Sequence, residues 1–179
     1  PQRTIDYLGH KPKALYIDTE MEKLSSAKVM RRVHWLCGVE MNQPFPEDRF
    51  TVLWLKNMPK DENVKAYRKR YQLIKLAIEV IHPDVVFIDG LLDIVNDYNA
   101  QDECSNVIGD LMAYSTALNM SMWCVLHENP MTDKLVGSLG SIAERKVTEV
   151  FVIRKHKAPH QDKRFKDFPS VFFEIKQTK

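Results

Sequence analysis

The sequence predicts an α/β protein built on a mostly parallel sheet flanked by helices, with an antiparallel strand pair at the C-terminal edge. Two observations carry that prediction. Short apolar or β-branched runs alternate with longer amphipathic stretches, the pattern of right-handed β-α-β crossovers. The last two runs follow one another with no helical stretch between them, and an antiparallel pair at one edge is common in such sheets.

Residues 1–12 are polar and aperiodic and are expected to be a linker or the remnant of a preceding helix, leaving residues 13–179 as the folded core. Lys13 to Asp18 is a short buried-strand pattern that ends on Thr19 and Glu20. From Glu22 to Leu36 the apolar positions fall near helical spacing, and Gly38 is a suitable stop. Phe50 to Leu55 is the next strand. A long amphipathic helix is expected from Asp61 to Ile81, with Lys65, Arg68, Lys69 and Arg70 on a face that reads as solvated. Pro83 stops it, and Val85 to Ile88, followed by Asp89 and Gly90, is too short for a helix and apolar on both faces, which predicts a strand buried between helical layers. Leu91 to Ala100 reads as a loop or broken turn and Asp102 to Leu118 as a helix. Met120 to Leu126 is another strand, ending in His127-Glu128-Asn129-Pro130. Met131 to Gly140 reads as flexible, Ser141 to Val147 as a short helix, and Glu149 to Arg154 and Ser170 to Ile175 as the closing strand pair.

A chain of 179 residues with 44% apolar residues can bury one sizeable core. Its net charge of +2 supplies no global field for nucleic acid or an anionic membrane, so local charge must decide. Cys37, Cys104 and Cys124 are odd in number and lack CxxC spacing, which fits reduced thiols in a cytoplasmic protein and supports neither a disulfide framework nor a zinc site. No apolar run approaches the length of a membrane span.

Three of these strands end on polar groups: Asp18 and Glu20, then Asp89, then His127 and Glu128. Parallel strands put such ends on one edge of a sheet, where ligand crevices form, so residues distant in sequence can converge there. An acid at that edge is placed to hold a phosphate-bound magnesium ion. Each residue also has a plainer use. Asp89 could cap the turn with Gly90, Glu20 suits the N-terminus of the helix that follows, and a lone histidine is often a packing residue.

The sequences Tyr16-Ile17-Asp18-Thr19-Glu20, Val86-Phe87-Ile88-Asp89-Gly90, Val125-Leu126-His127-Glu128-Asn129 and Gly137-Ser138-Leu139-Gly140-Ser141, in this order and spacing, resemble the RecA-like P-loop ATPases. The likeness is to the branch with RepA-type and DnaB-type helicase cores and to ATPases of mobilisable transposons and plasmids. It implies that Asp89 is the Walker B acid holding magnesium through its water shell, that Glu20 is the catalytic glutamate and that His127 is a sensor of the γ-phosphate. It implies further that Asn129, Lys134 and Ser138 lie in the loop that touches single-stranded DNA. Among Arg154, Lys155, Lys157 and Arg164, the resemblance places cations that act on a neighbouring subunit's nucleotide. The loop itself holds a single lysine and no aromatic residue, a poor stacking platform for bases.

The sequence departs from the family at one decisive place. The Gly-rich loop G-x-x-x-x-G-K-[ST], whose amides cradle the phosphates, is nowhere in the 179 residues. In the family it precedes the strand equivalent to the Tyr16 strand. The expectation is a piece of a RecA-like ATPase whose intact parent binds magnesium and ATP, while this segment alone binds neither. The parent is expected to act in DNA replication, mobilisation or transposon transfer, as a homo-oligomer of the hexameric-ring type. The alternative is a RecA-fold regulator or assembly module that does not bind nucleotide.

Overall fold

The computed structural model describes residues 12–40, 42–45, 49–59, 62–129, 131–132, 134–157 and 171–179. They fall into two units, Pro1–Ile142 and Ala143–Lys179. In the first, β1 (Ala14–Asp18), β2 (Phe50–Trp54), β3 (Val85–Asp89) and β4 (Ser121–Cys124) form a parallel sheet in the order β2-β1-β3-β4. The helices between them are α1 (Lys23–Leu36), α2 (Ala66–Ile81) and α3 (Gln101–Ala117). Steps from β1 to β2 and from β2 to β3 run in opposite directions across the sheet. Right-handed crossovers therefore place α1 on one face and α2 with α3 on the other.

Strand alternation decides which face holds the core. Leu15, Ile17, Val86 and Ile88 are fully buried, together with Ile74 and Ile78 of α2 and, nearly so, Ile108 and Leu111 of α3. Each such aliphatic side chain contributes about 1.5–3 kcal/mol by leaving water. On the opposite face Phe87 is 37% exposed and Trp123 46% exposed, their rings stacked with centroids 6.3 Å apart. The expected burial of the Val85 strand between helical layers is thus uneven: among the described residues the Val86 and Ile88 side is fully packed away, while on the other side Val85 and Asp89 are half-buried and Phe87 is partly exposed.

Helix α2 ends where His82 adopts φ 48°, with its N–H donating to Ile78 O, and Pro83 prevents any continuation. Arg70 does not belong to a solvated face. Its guanidinium donates to Leu55 O, Lys56 O and Asp93 O at 3.1–3.3 Å and lies 3.7 Å from Asp93 Oδ1, binding the exit of β2 to the short 3-10 turn Leu91–Ile94. That turn opens the segment expected as a loop or broken turn after Asp89.

The segment after His127 is also more ordered than its sequence suggests. Glu128–Asn129 (β5) pairs antiparallel with Lys134–Leu135 (β6), and α4 runs Gly137–Lys146, starting at Gly137 rather than at the expected Ser141. Gly137 has φ 66° and packs so closely on Tyr98 and Asn99 that a Cβ there would lie 2.5 Å from the Tyr98 ring. The glycine that reads as a break is a close-contact position.

In the second unit β7 (Phe151–Lys157) pairs antiparallel with β8 (Val171–Gln177), from Phe151 opposite Gln177 to Lys157 opposite Val171. The antiparallel pair is as expected, and it forms a two-stranded sheet of its own. Lys179 Nζ donates to Glu144 O and Arg145 O, satisfying carbonyls at the end of α4 where a cation suits the helix dipole.

Candidate active site at the carboxyl ends of β1, β3 and β4

Parallel register puts Asp18 of β1 directly beside Asp89 of β3, and the two-residue period of strands puts Tyr16, Asp18, Phe87 and Asp89 on the same face. Tyr16 donates its hydroxyl hydrogen to Asp89 Oδ2 at 2.8 Å. Its phenol is pushed well above the ordinary tyrosine range, first by burial, then by the bond to Asp89, with the charges of Asp89, Asp18 and Glu20 adding in the same direction.

Asp18 is completely buried. Its Oδ1 accepts from the Glu20 N–H at 3.1 Å and the Met21 N–H at 2.9 Å, while Oδ2 has no hydrogen-bond partner among the described residues. An unsatisfied buried acceptor costs about 1–3 kcal/mol, more when charged. Thr19 locks the next strand end. Its N–H donates to Asp89 O at 2.7 Å, and its Oγ1 accepts from the Gly90 N–H at 2.9 Å while lying 3.1 Å from Gly90 O. The Asp89–Gly90 peptide is cis.

Glu20 then passes over Gly90. A Cβ on Gly90 would come within 2.7 Å of Glu20 Cδ and overlap Oε1, so only glycine leaves room for the carboxyl. Beyond it, Glu20 Oε2 stands 3.1 Å from His127 Nε2. His127 O accepts from the Val136 N–H at 3.3 Å, which joins the histidine to the start of α4 through main chain.

The structure therefore brings together Glu20, His127 and Asp89, and adds Tyr16, Asp18, Thr19 and Gly90. The strand period carries a signal for Tyr16 and Asp18, since both share the parity of the acid end. Gly90 and Thr19 matter through a contact between strands that no local pattern encodes. Asn129 and Lys134 lie on the β5–β6 hairpin, with Asn129 Oδ1 accepting from the Met131 N–H at 2.9 Å, and Ser138 donates to Asn99 O at 2.9 Å from the first turn of α4. Arg154, Lys155 and Lys157 stand on β7 of the second unit. Arg164 lies outside the described residues.

The donor set can be tested against a cation. Among the described residues no three His, Cys, Asp or Glu side chains are placed to ligate one ion together. Magnesium keeps several of its waters and takes one or two carboxylates. Asp89, with one oxygen tied by Tyr16, fits such a hydrated ion and does not fit a metal caged by protein, while the orphaned Asp18 oxygen is buried away from any hydration shell. The phosphate cradle has no such fit here, because its Gly-rich loop is absent from the sequence.

No family model matches the sequence, and no curated protein matches it. Among solved structures, a KaiC-like protein from the hyperthermophilic archaeon Pyrococcus horikoshii is similar, with a TM-score of 0.51 and 13% identity. The match covers 94% of this chain and 65% of that one. The fold is thus of the RecA-like α/β type. Among the described residues no helix is long and apolar enough to cross a membrane.

Proposed function

We propose that these residues are the magnesium-holding and water-activating part of a RecA-like ATPase. The observation that carries the proposal is the 3.1 Å contact of Glu20 with His127, on the sheet edge where Asp89 ends the strand between theirs. Phosphoryl transfer to water needs a held metal, a base in line with the γ-phosphate and donors for the developing charge. Asp89 would hold the hydrated ion, which supplies neutralisation of phosphate charge when bound. Glu20 would take the proton of the attacking water. His127, sharing a hydrogen bond with that base, would report its state through its own carbonyl to Val136 and α4.

The reading requires a phosphate loop from outside these 179 residues. The finer assignments rest on the sequence resemblance: coupling to DNA replication, mobilisation or transposon transfer, DNA contact at Asn129, Lys134 and Ser138, and a hexameric ring in which Arg154, Lys155, Lys157 or Arg164 serves a neighbour's nucleotide. A titration of magnesium-ATP on the intact protein and on the 179-residue chain, side by side, tests the core of it. Binding by the former and not the latter is expected, and no binding by either would remove the enzyme reading.

A rival reading, a RecA-fold assembly module that does not bind nucleotide, draws on the exposed apolar side chains of Phe87, Trp123 and Val125. Wild-type turnover of ATP by the intact protein would dispose of it.

A further inference from the structure

We propose that Asp18 is a positioning residue for Glu20, setting the turn that aims the Glu20 carboxyl across Gly90 to His127; the proposal rests on the reading of Glu20 as the base.

Two successive N–H groups, those of Glu20 and Met21, converge on the single oxygen Oδ1 of Asp18 at 3.1 and 2.9 Å. That is possible only where the chain folds back at once after the strand, as in turns closed by an aspartate side chain. The next carbonyl is taken as well, since Trp54 Nε1 donates to Met21 O at 2.9 Å from β2. On the other side Thr19 is pinned to Asp89, the last residue of β3, and to Gly90 just after it. The turn is gripped by both flanking strands, and Asp18 supplies the grip from within.

Glu20 leaves this turn into the space above Gly90, where no side chain stands in its way, and meets His127. Rotating the peptide before it would carry the carboxylate off that line. Asp18 itself makes no hydrogen bond to His127 or Asp89 among those described, so its influence passes through the backbone of residues 19–21. Packing alone does not account for an aspartate here, because its Oδ2 is buried without a partner and an apolar side chain would leave no such orphan. What an apolar side chain cannot do is accept those two amide hydrogens.

The test uses isotope-labelled chain of these 179 residues, free of nucleotide, and compares Asp18→Ala, Asp18→Asn and Glu20→Ala. Asp18→Ala should raise hydrogen exchange at the Glu20 and Met21 amides by about tenfold or more, while the amides of Ile17 and Ile88 keep their protection. It should also move the His127 ring nitrogen signals to where Glu20→Ala puts them. Asp18→Asn, which keeps an acceptor at Oδ1, should restore both. If Asp18→Ala does not fold, Asp18→Ser, whose short hydroxyl accepts at most one of the two hydrogens, is read in the same way. His127 signals that stay at their wild-type positions in the folded Asp18 variant, or an Asp18→Asn that behaves like the alanine, would overturn the proposal. Whether Glu20 is the base is decided separately, by turnover of Glu20→Gln in the intact protein. There the folded Asp18→Ala should lower kcat and leave the KM for ATP within about twofold, since ground-state binding does not pass through the base. An equal loss in both parameters would speak for general disorder of the site and against positioning.

Discussion

The hydroxyl of Tyr16 donates a 2.8 Å hydrogen bond to Asp89 Oδ2, tying the middle of β1 to the last residue of β3. Burial first, then this bond, then the surrounding carboxylates raise the phenol's pKa above its ordinary value of about 10. A group raised in the folded state contributes stability that is fully present below its unfolded value and lost as pH climbs toward the folded one. The contribution of Tyr16 should therefore be constant up to about pH 9.5 and fall above about pH 10. Tyr16→Phe should cost about 1–2 kcal/mol at neutral pH and give a shallower alkaline decline in urea unfolding. Tyr71, raised by burial and by its bond to Asp110, would supply part of the slope that remains. A decline as steep in Tyr16→Phe as in the wild type would sink this account.

Glu20→Gln and Asp89→Asn remove, in turn, the proposed base and the proposed metal acid without changing side-chain volume. Each is expected to abolish ATP turnover by the intact protein, since loss of a general base alone costs about 10²–10⁴-fold. The two should part company in binding. Asp89→Asn should weaken the magnesium dependence of nucleotide binding, whereas Glu20→Gln should leave it in place. Unchanged turnover in both variants would remove the catalytic reading altogether.

Gly90 is the cheapest place to displace Glu20 without touching it. In Gly90→Ala the new methyl would occupy the space of the Glu20 carboxyl, which must swing away, as the end of a flexible side chain can. The overpacking should cost about 1–3 kcal/mol. Turnover should fall nearly as far as in Glu20→Gln, and the His127 ring signals should shift as if Glu20 were absent. A Gly90→Ala protein with wild-type turnover would show that the carboxyl does not need this seat.

Much of this was legible in the sequence. The polar groups could be assigned to one sheet edge because Asp18 with Glu20, Asp89 and His127 each close a short apolar run, and parallel threading does the rest. Adjacency was not legible. The order β2-β1-β3-β4 sets β1 beside β3, so Asp18 faces Asp89 in register, and only then does Tyr16 reach across. The β5–β6 hairpin was invisible because strands of two residues carry no period. The start of α4 was hidden by Gly137 and Gly140, residues chosen for closeness to Tyr98 and Leu135 and not for a break. The open side of β3 and β4 could not be foreseen either, since an apolar run records what a strand can bury and not what covers it.

Arg70 shows the same limit from the side of charge. In sequence it is one of four basic residues opening α2, alike in type, but the helix turns it toward the sheet edge, where it serves three main-chain carbonyls and Asp93. Arg68 donates to the hydroxyl of its neighbour Tyr67 and lies 5.8 Å from the centroid of that ring, both at an exposed site. Arg70→Met keeps the apolar stem and deletes the guanidinium, leaving the carbonyls of Leu55, Lys56 and Asp93 to find water. The loss is expected at about 2–4 kcal/mol, because bonds to a charged donor exceed neutral ones and their acceptors are half-buried. Arg68→Met should change stability by no more than about 0.5 kcal/mol. Urea unfolding of the two variants measures the contrast directly, and equal midpoints would mean that the exit of β2 is held by something other than Arg70.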